Sequence, residues 1–338
     1  MKTEFVRAED NPYERAGEIL RAGGLVAFPT ETVYGLGGNA LDADAGRKIF
    51  EAKGRPGDNP LIVHVEKPED AEAFAYTSEA YYKLADAFMP GPLTVVLPRK
   101  NTVPDSITGG LDTVAVRCPD HPVARELIRA AGVPVAAPSA NLSGSPSPTT
   151  AEYVRADLDG RVDMIIDGGQ SRIGVESTVV TLADGICTVL RPGDVIPREL
   201  HEIVGEVVVA EAVKVPSAAG DKPLSPGMKY KHYAPSKPLI LLQAEGSAFA
   251  EYINASDKKT AALVYSEEAE NVKCEYVIDI GAKDCPKEQM HNIFKALRDV
   301  EEYDAEVIYA HLPPDGEEYL ALYNRLIRAC GGDVIKIN

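Results

Sequence analysis

A proline-dense stretch, residues 211–238, limits what this chain can fold into more than any other feature. It carries Pro216, Pro223, Pro226, Pro235 and Pro238 with Gly220 and Gly227, and it has no sustained apolar periodicity. Each proline removes a backbone donor and fixes φ, so the stretch supports neither a long helix nor a central strand and reads as a linker. The boundaries predicted on this ground are a domain over 1–208, a linker over 209–236 and a second domain over 237–338. The division suits the length, because 338 residues exceed what one hydrophobic core ordinarily fills.

The two flanking parts differ in rhythm. In the first, Asn11 is placed to cap a helix with Pro12 in its first turn and Gly23-Gly24 closing it, and LVAFP follows as a short buried strand. Asp42 caps a second helix through Ile49 and Phe50, ahead of the apolar strand LIVHV at 61–65. Further strands are predicted at 93–97, 114–117, 133–137, 164–166, 177–182 and 187–190, with helices near 121–131 and 149–158. Several of these strands follow one another with no helix between them, which predicts a mixed sheet. Beyond the linker the alternation is regular. Strands over PLILL, AALVY, YVIDI, VIYAHL and DVIKI are separated for the most part by helices near 249–253, 287–300 and 317–330, the pattern of a small parallel α/β domain.

Composition excludes several classes. At 45% hydrophobic and 26% charged residues the chain is globular, and no window approaches the apolar run of about 20 residues that a membrane helix requires. The opening MKTEFVRAEDNP has no apolar core of a signal peptide. Cys118, Cys187, Cys274, Cys285 and Cys330 are odd in number and scattered, which argues against a disulfide framework or a thiolate zinc site and for a reducing cytoplasm. With 35 basic against 52 acidic side chains the net charge is −17. Such a surface repels a phosphate backbone, so an anionic ligand must be met by basic groups gathered locally.

Phosphate-binding glycine loops, zinc-protease helices and serine-hydrolase elbows are absent as motifs, and the six histidines are isolated from one another. Four segments stand out instead, where small, hydroxyl and basic residues crowd at strand ends. PTETVYGLGG (29–38) offers two threonines and close backbone approach, although a glycine-rich turn alone would look the same. KGRPGDNP (53–60) carries Lys53, Arg55 and Asn59. Cations at a helix end can simply complement the dipole, but Gly54, Pro56, Gly57 and Pro60 impose more backbone constraint than solvated charge requires. Nearby His64 lies inside an apolar strand, where a neighbour ordinarily satisfies it. APSANLSGSPSPT (137–149) sets Ser139, Asn141, Ser143, Ser145 and Ser147 on alternate positions, inside a domain and not in a disordered tract. ESTVV (176–180) is followed one strand later by LRPG, where Arg191, like Arg117 in AVRCP, falls at a strand end where side chains can converge on a cleft, although a surface salt bridge is the usual state of a lone arginine. Hydroxyls, an amide and four cations at the strand ends of one domain suit a polyanion, and a nucleotide above all.

These segments, with SPGMKYKHYAP (225–235), resemble the YrdC-like family, and specifically its two-domain members. Gly57 stands where serine is expected and Lys231 where arginine is frequent. The resemblance implies an open YrdC-like α/β domain with a twisted mixed sheet and a cationic cleft, followed by a smaller Rossmann-like parallel α/β domain. It implies that L-threonine, bicarbonate or CO2, and ATP are joined into L-threonylcarbamoyladenylate and pyrophosphate, with Mg²⁺ on the phosphates, for a downstream machinery that modifies tRNA. Thr32, His64, Arg117, the backbone of Ala137, and Ser177 would contact threonine. Arg55, Asn59, Thr113, Ser139, Ser147, Arg191 and Tyr233 would hold ATP, and Lys53, Arg55, Ser139 and Asn141 would form the catalytic signature, with no metal ligand from the protein. SPGMKYKHYAP is expected to act as a lid that keeps water from the labile carbamate. Two rivals are a carbamoyltransferase handling carbamoyl-adenylate, and a binder of double-stranded RNA or tRNA.

Overall fold

The computed structural model describes residues 2–54, 57, 59–213, 233–244 and 247–337. Arg55 and residues 225–232 of the expected lid lie outside them. The chain divides into two compact units. The first comprises Met1–Ser143, Ser147–Arg172 and Glu176–Lys229; the second comprises Tyr230–Asn338 with the short segments Gly144–Pro146 and Ile173–Val175.

The strands of the first unit are β1 (Glu4–Arg7), β2 (Val26–Phe28), β3 (Gly35–Asn39), β4 (Ile62–His64), β5 (Leu93–Pro98), β6 (Thr113–Arg117), β7 (Val135–Ala137), β8 (Met164–Asp167), β9 (Thr178–Ala183), β10 (Ile186–Arg191) and β11 (Val207–Val209). They form one sheet in the order β1-β8-β2-β3-β7-β4-β6-β5-β9-β10-β11 with parallel and antiparallel neighbours, a mixed sheet as expected. Its helices are α1 (Tyr13–Arg21), α2 (Ala43–Lys53), α3 (Glu79–Phe88), α4 (Asp105–Thr108), α5 (Pro122–Ala131), α6 (Ala151–Leu158) and α7 (Pro197–Val204). Helix α1 packs on α5 over Leu20, Val26, Phe28, Leu127 and Ile166, while a larger apolar cluster gathers α2, α3 and the centre of the sheet around Leu36, Ile49, Tyr81, Val95 and Val116.

Two local expectations are corrected. Asn11 does not cap α1: it closes the preceding 3-10 turn with φ +50°, and Pro12 occupies the N-cap position. The GLGG run, read as a loop after a strand, is itself β3. Only glycine fits there, because a Cβ at Gly37 would lie 2.9 Å from Phe28 Cε1 and from Val135 Cγ1. Three of the five residues of the strand are glycines, so apolar periodicity cannot reveal it.

The second unit forms β12 (Leu239–Gln243), β13 (Thr260–Val264), β14 (Tyr276–Asp279), β15 (Val307–His311) and β16 (Val334–Lys336), all parallel, in the order β14-β13-β15-β12-β16. Helices α8 (Ala248–Asn254), α9 (Pro286–Asp299) and α10 (Leu320–Cys330) supply crossovers, as the alternation predicts. Among the described residues, no helix is long and apolar enough to cross a membrane.

Candidate functional site

Strand register assembles the site. In the parallel pair β4–β6, His64 lies opposite Arg117 and Ile62 opposite Ala115. In the antiparallel pair β4–β7, Ala137 lies opposite Ile62, and in β5–β6 Val96 lies opposite Ala115 and Pro98 opposite Thr113. Strand β5 then runs parallel to β9 with Thr94 opposite Val179. Side chains alternate along a strand, so His64, Ala137, Thr113, Arg117 and Thr94 share one face of the sheet, and Ser177, two residues before Val179, joins them. The Ser177 and Thr94 hydroxyls are indeed 2.8 Å apart. Ile62, Val96, Ala115, Val179 and Leu190 make a small buried apolar floor on this face.

Each cation is held differently. Arg117 Nη2 donates to Glu31 Oε1 at 2.7 Å in an ion pair that is almost wholly buried, its side chains 5% and 1% exposed. Arg117 Nε also donates to the Gly91 carbonyl at 3.4 Å. Arg191 donates from Nη2 to Ser177 Oγ and from Nε to the Ser177 carbonyl, both at 3.1 Å. The LRPG turn reaches ESTVV closely enough for this because Gly193 has no side chain: a Cβ there would lie 2.4 Å from the Thr178 nitrogen. Lys53, the last residue of α2, sends its ammonium to the carbonyls of Ser139 (2.5 Å) and Asn141 (2.7 Å). It therefore shapes the loop after β7, where Ser139 Oγ donates to Asn141 Oδ1 at 2.5 Å. Arg55 lies outside the described residues.

The remaining expected residues divide. Thr32 is buried beside Thr30, their hydroxyls 2.9 Å apart, and Asn59 is buried at the entrance to β4. Ser147 Oγ donates to Glu176 Oε1 at 2.5 Å. Tyr233 belongs to the second unit, where its ring packs 5.0 Å from that of Phe294 and 5.7 Å from the Arg325 guanidinium. His64 is pushed down to about 3, first by burial and then by the Arg117 charge, and its Nδ1 is buried with no hydrogen-bond partner. The imidazole is thus neutral at neutral pH, polar without adding charge to the site. Sequence reading passed over Glu31, Thr94 and Glu176. Glu31 and Glu176 lie inside segments that stand out for their hydroxyls, where a carboxylate looks solvated until its distant partner is found, and a threonine inside an apolar strand carries no signal.

Residues 18–193 match the family model Sua5/YciO/YrdC, described as "Telomere recombination". The chain belongs to this family. Residues 195–331 match the Sua5 C-terminal model, described as "Threonylcarbamoyl-AMP synthase, C-terminal domain". The chain is 43% identical over 339 residues to a threonylcarbamoyl-AMP synthase of Bacillus subtilis, covering 99% of this chain and 97% of that protein. It is 44% identical over 341 residues to one of Pyrococcus abyssi, covering 98% and 97%. A crystal structure of P. abyssi Sua5 complexed with L-threonine superposes with a TM-score of 0.92 at 43% identity, over the whole of both chains. The Sua5 architecture of a mixed sheet followed by a parallel one is thus shared along the full length.

Proposed function

We propose that the protein is a threonylcarbamoyl-AMP synthase, joining L-threonine, bicarbonate or CO2, and ATP into L-threonylcarbamoyladenylate with release of pyrophosphate. The observation that carries this reading is identity of 43% along the whole chain to a protein of that name, in a chain whose strand register gathers His64, Arg117, Thr94 and Ser177 on one sheet face.

The residues suit the chemistry. Carbamate formed on the threonine amine attacks the α-phosphorus of ATP, so two anions approach and fixed cations must offset their repulsion. Arg117 receives the threonine carboxylate. Thr32, neutral His64, the Ala137 backbone and Ser177 surround the rest of the amino acid. Arg55, Asn59, Thr113, Ser139, Ser147 and Arg191 hold ATP, and Lys53 and Asn141 keep the Ser139 loop in place. The attacking atom comes from the substrate, so positioning and electrostatics account for catalysis without a protein nucleophile. Among the described residues no group of three or more His, Cys, Asp or Glu side chains could hold a metal. In this reading Mg²⁺ arrives on the nucleotide, where it would offset phosphate charge.

Residues 1–208 form the catalytic domain in this reading, 209–236 a linker and lid, and 237–338 a second domain. The adenylate passes to cytoplasmic machinery that transfers threonylcarbamoyl to tRNA. Incubation with L-threonine, ATP, Mg²⁺ and labelled bicarbonate tests the function. Labelled adenylate and threonine-dependent pyrophosphate are expected; pyrophosphate release indifferent to threonine would overturn it.

A further inference from the structure

Glu31 is the one carboxylate in the PTETVYG segment, and no step described so far uses it. It is 1% exposed, and only one of its oxygens is engaged. Oε1 accepts from Arg117, while Oε2 is buried with no hydrogen-bond partner. A carboxylate oxygen buried in this way costs free energy that a merely structural ion pair would have been shaped to avoid, for instance by a second donor from Arg117. The missing partner is a donor, and preferably a cationic one. Resting on the reading above, Arg117 takes the threonine carboxylate. The α-ammonium is attached to the carbon next to that carboxylate, which brings it toward the carboxylate already held by the same guanidinium. The neighbouring polar groups cannot replace Glu31. His64 is neutral and pushed far down by burial and Arg117, and Thr32 and Ser177 carry no charge.

We propose that Glu31 Oε2 binds the α-ammonium of L-threonine and accepts its proton when the carbamate forms. An ammonium has no lone pair and cannot attack carbon, so one N–H proton must first leave. It passes to Glu31, and the freed lone pair forms the N–C bond to bicarbonate. A second N–H proton departs with the bicarbonate hydroxyl as water, leaving the carbamate anion, and the proton on Glu31 returns to solvent when the products leave. Atoms and charge balance with no reactant beyond those of the proposed reaction.

The test compares L-threonine with (R)-3-hydroxybutanoate, which is threonine without the ammonium, by calorimetry on the full chain. The wild type should bind threonine at least about tenfold more tightly than the hydroxy acid, as expected for a charge-assisted hydrogen bond in a buried site. Glu31→Gln keeps an acceptor for Arg117 but offers an amide in place of Oε2. It should lose at least about tenfold in threonine affinity, bring the two ligands together, and lower kcat beyond the change in threonine KM. Equal wild-type affinity for the two ligands would overturn the proposal without any variant. So would a Glu31→Gln protein that binds both ligands proportionally more weakly, since that is the signature of a structural role. If the wild type binds neither ligand, the functional reading fails first.

Discussion

His64 and His311 occupy comparable places in the two units and are treated in opposite ways. Both are buried and both end a strand, β4 in the mixed sheet and β15 in the parallel one. His311 Nε2 meets Glu268 Oε2 at 2.6 Å, and its ring is stacked between Phe249 at 3.6 Å and Tyr265 at 4.5 Å. In the first unit, His64 Nδ1 and Glu31 Oε2 are both buried without partners. Polar groups that close on one another hold a fold, whereas buried polar groups left open on an otherwise well-packed face mark where something else must bind. The mixed sheet is therefore the ligand-binding one in this reading, although the parallel sheet has the more conventional Rossmann-like look.

Four substitutions test that contrast, taken from the largest expected effect to the smallest. Arg117→Ala strands Glu31 as a buried charge, so unfolding in denaturant should show a loss of about 3–5 kcal/mol. Threonine-dependent pyrophosphate release should fall at least about a hundredfold. A mild effect on both would mean that this face tolerates unpaired charge and is not a dry binding surface. His64→Gln addresses acid stability. The folded imidazole titrates near 3 against an ordinary 6.5, so the unfolded chain binds the extra proton between those values. Stability from this source is complete above about pH 6.5 and drains as pH falls toward 3, by on the order of a few kcal/mol in all. The glutamine variant should lose less over that window, as measured by chemical unfolding at a series of pH values. A slope identical to the wild type would remove His64 from the account.

Gly37→Ala places a methyl against Phe28 and Val135, an overpacking expected to cost about 1–3 kcal/mol in the first unit. Thermal unfolding reads it directly, and an unchanged melting temperature would contradict the close packing of β3. Last, His311→Asn removes a stacked ring and disturbs the bond to Glu268, for about 1–2 kcal/mol in the second unit. Threonine affinity should stay within about twofold, because His311 belongs to the second unit and every residue proposed to contact threonine belongs to the first. A tenfold loss there would break the distinction between the two histidines.

Much of the candidate site was legible because its polar and basic residues are concentrated in short runs. Ser139, Asn141, Ser147, Ser177 and Arg191 sit in segments too polar for the cores they adjoin. Lys53 was legible as a signature residue, but its geometry was not: its ammonium turns to the Ser139 and Asn141 carbonyls, a contact that depends on α2 and the loop after β7 meeting in space. Glu31 escaped because an acidic residue among threonines looks solvated until a distant arginine is found against it. Thr94 escaped because a single hydroxyl inside LTVVLP does not disturb a strand pattern.

The amino-acid sequence alone determined the parallel alternation of the C-terminal part and the kinds of side chain available for anion binding, since periodicity and composition are local properties. Tertiary structure decided which of those side chains face one another. His64 meets Arg117, and Thr94 meets Ser177, only through the registers of β4 on β6 and β5 on β9. Those registers are set by hydrogen-bond ladders between segments far apart in the chain and by the need to bury one face of each strand, information that no local window contains.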